Sequence, residues 1–148
     1  MSPRSSREYP ERPIVGVGAV IMDGRARRVV LVRRGVPPRE GQWSLPGGAV
    51  ELGETVRAAA EREAMEETGL AVASEELLGV FDRILPGDRG RLRYHYVLID
   101  FLCRVRAGEL SAGGDAAAAA WAGEDELKKF NLEQPTIDVI RKAFKLRA

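Results

Sequence analysis

Three glutamates, Glu63, Glu66 and Glu67, have a spacing suited to metal chemistry. On an α-helix that turns about 100° per residue, with Glu63 as origin, Glu66 falls at about 300° and Glu67 at about 40°, so the carboxylates share an arc of roughly 100°. Like charges that close repel one another. A hard divalent cation such as magnesium, which prefers oxygen ligands, relieves the repulsion. The competing reading is an acidic, solvated helix face.

Features around the acids favour the metal reading. Gly47 and Gly48 follow Trp43-Ser44-Leu45-Pro46 and let backbone approach a ligand closely. Glu54 precedes the helix, eight residues before Arg62. Thr55 suits the N-cap, and Gly69 suits the C-terminal cap after the last acid. The spacing predicts a helix over 55–68, rich in alanine at 58, 59, 60 and 64.

The stretch from Gly48 to Leu70 resembles the Nudix box, the signature of the Nudix hydrolases. That pattern runs Gly, five residues, Glu, seven residues, Arg-Glu, an aliphatic, one residue, Glu-Glu, one residue, Gly and an aliphatic. Gly48, Glu54, Arg62, Glu63, Ala64, Glu66, Glu67, Gly69 and Leu70 occupy those places, with Ala64 smaller than the usual aliphatic. The resemblance extends from about Ile14 to about Ala143.

The resemblance implies a hydrolase that cleaves the diphosphate of a nucleoside diphosphate linked to another group X. Divalent ions, magnesium with manganese as a substitute, neutralise phosphate charge and activate water in such reactions. It further implies that Glu63 and Glu67 are the principal metal ligands, Glu66 a further ligand, direct or through water, and the Gly47 carbonyl a backbone ligand. Arg62 is expected to pair with Glu54 and orient the ligand carboxylates. Arg33 or Arg34, at a strand end near the site, is expected to grip a phosphate. Trp43 is read either as a base-stacking platform or as core, and Gly48 as a close-approach position for substrate.

The general base is open at this level. Many relatives carry a loop glutamate shortly before the tryptophan equivalent to Trp121, where this chain reads Asp115 and then alanine from 116 to 120. A box acid is the expected base; Asp115 or Glu109 as a substitute, or low activity, are the alternatives. Pro86, sixteen residues after Leu70, is a loose mark of ADP-ribose pyrophosphatases. ADP-ribose is therefore the first substrate expected and a noncanonical nucleoside triphosphate the second. A nucleotide-binding or sensing module with weak catalysis is the reading from another class.

The elements that must position these residues follow from the pattern. Strands are expected at 14–22 and 29–33, joined by an Asp23-Gly24 turn, then at 43–45, 49–50, 76–83 and 94–104. The alanines before Trp121 read as a short strand, although alanine alone favours helix, and Ile137, Ile140 and Phe144 mark a C-terminal helix. This is a mixed α/β pattern, and the resemblance implies the Nudix fold, an α/β/α sandwich with a mixed sheet. Residues 1–12 read as a flexible arm and 13–148 as one domain.

Of the 148 residues, 30% are charged and 45% hydrophobic, with a net charge of +1. This is an ordinary globular profile with no global drive toward nucleic acid or membrane. No apolar run is long enough to span a bilayer and the N-terminus lacks a signal-peptide core. A cytoplasmic monomer or homodimer acting on a small nucleotide is expected. Cys103, in an apolar run, reads as an inert buried thiol, and His95 as a sheet position without chemistry.

Overall fold

The computed structural model describes residues 7–147 except 24, 26 and 38. The Gly24 part of the expected turn and the first six residues of the expected arm lie outside them. Among the described residues, seven strands form one sheet: β1 (Ile14–Asp23), β2 (Arg28–Arg34), β3 (Trp43–Ser44), β4 (Gly47–Ala49), β5 (Ala71–Pro86), β6 (Leu92–Ala107) and β7 (Ala116–Gly123). Helix α1 (Val56–Thr68) follows β4, and α2 (Gln134–Leu146) closes the chain after a 3-10 segment at Glu124–Phe130.

The main path of the sheet is β3-β2-β1-β6-β5, with β4 added to β1 and β7 to β2. β1 and β6 run parallel, Ile14 opposite Tyr96 through Met22 opposite Arg104, and the other pairs are antiparallel. The sheet is therefore mixed, as expected.

Side chains alternate across a strand, and β1 uses both faces. Val17, Ala19 and Ile21 pack with Ala59, Ala60 and Ala64 of α1. Val20 and Met22 pack with Leu102 and with Val139, Ile140, Ala143 and Phe144 of α2. Alanines on α1 let that helix lie close to the sheet. The larger side chains of α2 fill the opposite layer, each fully buried Ile or Phe stabilising by about 1.5–3 kcal/mol. The layers are helix, sheet, helix.

One irregularity creates the site. On one edge, β1 pairs with β4 at Gly16, Val17 and Gly18 and with β2 only at Met22 and Asp23. β2 then leaves β1 and runs with β3 and β7. The sheet parts between these two stretches.

Several elements extend beyond their expected limits. β5 and β6 each span 16 residues and pair along almost their whole length. The 49–50 strand is β4, shifted two residues earlier. β7 is a strand despite its alanines, held by its ladder to β2.

Candidate active site

α1 begins where Thr55 accepts a hydrogen bond from Ala58 N at 3.1 Å, and ends at Gly69, whose φ of 74° is left-handed. Between these caps the acids separate by environment. Glu67 is only 8% exposed. Its Oε1 accepts from Gly47 N at 3.2 Å, and its carboxyl faces that of Glu63. Burial, and then the Glu63 charge, push the Glu67 carboxyl up to about 8. Arg34 acts in the opposite direction on it.

Glu66 stands apart. It is exposed and lies 3.4 Å from Arg62 Nη1. Among the described residues no three His, Cys, Asp or Glu side chains converge as a ready metal cage. Glu63 and Glu67 form a close pair, Glu67 buried and Glu63 partly so, with Glu66 at the surface beside them.

Arg62 lies at the centre of a polar cluster. It donates from Nε and Nη2 to the two oxygens of Glu54 at 2.7 and 2.9 Å, from Nη1 to Glu63 Oε1 at 2.8 Å, and from Nη2 to the Ala49 carbonyl at 3.1 Å. The Arg62 hydrogen bond holds the Glu54 carboxyl down at about 2. Glu54 in turn accepts from Glu51 N at 3.0 Å, which shapes the loop ahead of α1.

The glycines on the other side have a steric cause. A Cβ at Gly48 would lie 2.5 Å from Glu63 Oε1, and a Cβ at Gly47 would lie 2.1 Å from the Val17 carbonyl. Ala19 N bonds to Pro46 O and Val50 N to Val15 O. Because antiparallel pairing alternates, the amide groups of Gly47 point away from β1, and its N–H meets Glu67.

A cavity of about 620 Å³ opens where the sheet parts. Its walls include Gly16 and Gly18 of β1, Arg34, Trp43, Gly47 and Gly48, with Tyr96, Leu98 and Asp100 of β6. At one side Glu133 Oε1 accepts from Gln42 Nε2 at 3.0 Å and from Arg83 Nη2 at 2.9 Å, and pairs with Arg39. The expected residues fall as follows. Gly47, Gly48, Arg34 and Trp43 line the cavity, and Glu67 touches it through Gly47. Trp43 also packs edge-on against Phe130 at 5.0 Å, so it is both wall and core. Arg33 is not part of the wall; it is exposed, with its guanidinium 5.9 Å from the Trp43 ring.

Asp100, Arg39, Arg83, Gln42 and Glu133 line the cavity without having been singled out in the sequence. A signal existed for Asp100, the only acid in the apolar run 96–103. Arg39 and Glu133 gave none, because they meet only through folding. Cys103 is buried, which pushes its thiol up to about 12, in keeping with an inert role. Ala118 pairs with Arg33, and alternation puts it on the face away from Trp121 and α1. A glutamate there would point away from the box acids.

The family model of the NUDIX domain matches residues 12–143. An ADP-ribose pyrophosphatase of Methanocaldococcus jannaschii is 38% identical over 122 residues, which cover 80% of this chain and 70% of that protein. Among solved structures, a NUDIX hydrolase from Nitrosomonas europaea superposes with a TM-score of 0.76 at 23% identity, covering 92% of this chain and 91% of that one. A MutT NUDIX hydrolase from Burkholderia pseudomallei is 33% identical with a TM-score of 0.68, covering 91% and 98% of the two chains.

Proposed function

The chain belongs to the Nudix hydrolase family, and from that premise we propose that it is a divalent-metal-dependent enzyme that cleaves the diphosphate of a nucleoside diphosphate linked to X, with ADP-ribose the first substrate. The observation that carries this reading is the Glu63–Glu67 pair, pressed together beside a backbone that has no room for a Cβ at position 48.

Two carboxylates held against each other suit a hard cation. Glu63 and Glu67, with the Gly47 carbonyl, would hold it, and magnesium, or manganese in its place, is the proposed ion. When bound, the ion supplies charge neutralisation to the diphosphate. The protein's own groups do the rest. Arg62 fixes the Glu63 carboxylate, Glu54 fixes Arg62, and Arg34 at the cavity wall faces the phosphate charge. A box carboxylate takes the proton of the attacking water as the phosphorus–oxygen bond breaks. Trp43 and Tyr96 offer aromatic surface to the nucleoside.

A panel of ADP-ribose, other nucleoside diphosphate derivatives and nucleoside triphosphates, each with magnesium, tests the reading by product identity. ADP-ribose should give AMP and ribose 5-phosphate, and chelator should abolish turnover. Release of pyrophosphate from triphosphates alone would move the substrate to noncanonical nucleotides. Binding without turnover across the panel would make the protein a sensor.

A further inference from the structure

One partly buried acid in the cavity has no place in this mechanism. Asp100 lies on β6 directly opposite Gly18 of β1 and Gly79 of β5. A Cβ at Gly18 would lie 2.3 Å from Asp100 Oδ1, so the absence of a side chain at 18 makes room for the carboxyl. The carboxyl lines the cavity together with Gly16, Gly18 and Leu98. Among the described residues nothing donates a hydrogen bond to it and no cation pairs with it. Burial alone pushes it up to about 6.

An unmatched, partly buried carboxyl costs the fold free energy, since what it has lost in solvation no partner in the fold repays. Its oxygens are not sealed off from the cavity. An ionised carboxylate only accepts hydrogen bonds, so what satisfies it must donate. The nearby wall consists of glycine backbone, Leu98 and the Tyr96 ring, which stacks against Tyr94 with centroids 6.1 Å apart. That surround suits a flat heterocycle, and the donors on such rings are exocyclic amino groups and ring N–H groups.

We propose that Asp100 reads the nucleobase of the substrate and selects bases that carry an amino group, adenine, guanine or cytosine, over uracil and hypoxanthine. The inference rests on the nucleotide-hydrolase reading for its substrate class and adds what that reading leaves open. Uracil presents a carbonyl where cytosine carries its amino group, and hypoxanthine a carbonyl where adenine carries one and a bare C–H where guanine carries one. Each keeps a single ring N–H, but the carbonyl beside it is repelled by a carboxylate.

The test measures binding of AMP, GMP, CMP, IMP and UMP by calorimetry, with turnover of the matching diphosphate derivatives followed separately. It uses the full chain, Asp100→Asn and Asp100→Leu. The native protein should bind AMP, GMP and CMP about 10- to 100-fold more tightly than IMP and UMP, the range expected for a hydrogen bond to a charged group. Asp100→Leu should bring that ratio to about one and Asp100→Asn should reduce it, with no fall in melting temperature for either. A ratio unchanged in both variants, an equal loss on all five nucleotides, or no nucleotide binding by the native protein overturns the assignment. Hydrolysis without base selectivity would leave the enzyme reading standing and this inference refuted. Selective, Asp100-dependent binding without hydrolysis would do the reverse.

Discussion

Arg62 grips Glu54 through two parallel hydrogen bonds, Nε and Nη2 each meeting a different carboxylate oxygen. Lysine keeps the charge but lacks the fork. Arg62→Lys should lower turnover about 10- to 100-fold, the usual cost of removing a group that orients metal ligands. Steady-state kinetics at saturating magnesium checks this. The same contact sets an acid limit. Glu54 is held at about 2, below its ordinary 4.5, so its contribution to stability is complete above about pH 4.5 and is lost as pH falls through about 2. Glu54→Gln should flatten that part of the thermal-stability profile.

Adjacent glycines should respond differently to alanine. At Gly47 the new Cβ meets the Val17 carbonyl, which is backbone in the sheet. Gly47→Ala should cost about 1–3 kcal/mol of stability. At Gly48 it meets only the tip of the Glu63 side chain. Gly48→Ala should fold with a nearly native melting temperature while turnover falls at least about tenfold, because the displaced carboxylate is a proposed ligand. Denaturation midpoints and kinetics on the two variants separate the effects.

Glu67→Gln removes a charge at nearly constant volume. Turnover should fall by orders of magnitude, since a lost ligand typically costs several kcal/mol of transition-state stabilisation. Activity within about threefold of native would make Glu67 a structural acid. Stability without metal should move the other way. The Glu67 carboxyl is raised from 4.5 to about 8, so its contribution is full below pH 4.5 and is lost as pH rises through about 8. Thermal melts in chelator should therefore show the variant gaining on the native protein at alkaline pH.

Most of the candidate site was legible because it is local. The acids, Arg62 and both caps sit within one helix and its flanks, and helical geometry put Glu63 and Glu67 on one face. Glu66 lies beside them at the solvent side, where the Arg62 contact holds it. The cavity was much less legible. Its walls come from strands far apart in sequence, and Arg83, Gln42 and Glu133 meet only because β5, the β2–β3 loop and the start of α2 converge. The strand at 116–123 ran against alanine's own preference, since pairing with β2 supplies what propensity lacks.

Asp100→Asn offers a stability test separate from base selection. Burial raises the carboxyl from 3.8 to about 6, so stability from this group is full below pH 3.8 and is lost as pH rises through about 6. The neutral variant should exceed the native protein by about 2–3 kcal/mol at neutral pH, a shift of about two pKa units, with the gain vanishing near pH 4. Urea denaturation at the two pH values measures it.

Glu133 ties three contacts together. Gln42, Arg39 and Arg83 all meet the same oxygen of this one side chain. The contacts therefore do not break independently. A single rotamer change of Glu133 breaks all three contacts together, while Lys142 still bonds the Leu78 carbonyl between α2 and β5. These three contacts at the cavity edge therefore form one unit, lost or kept through one side chain.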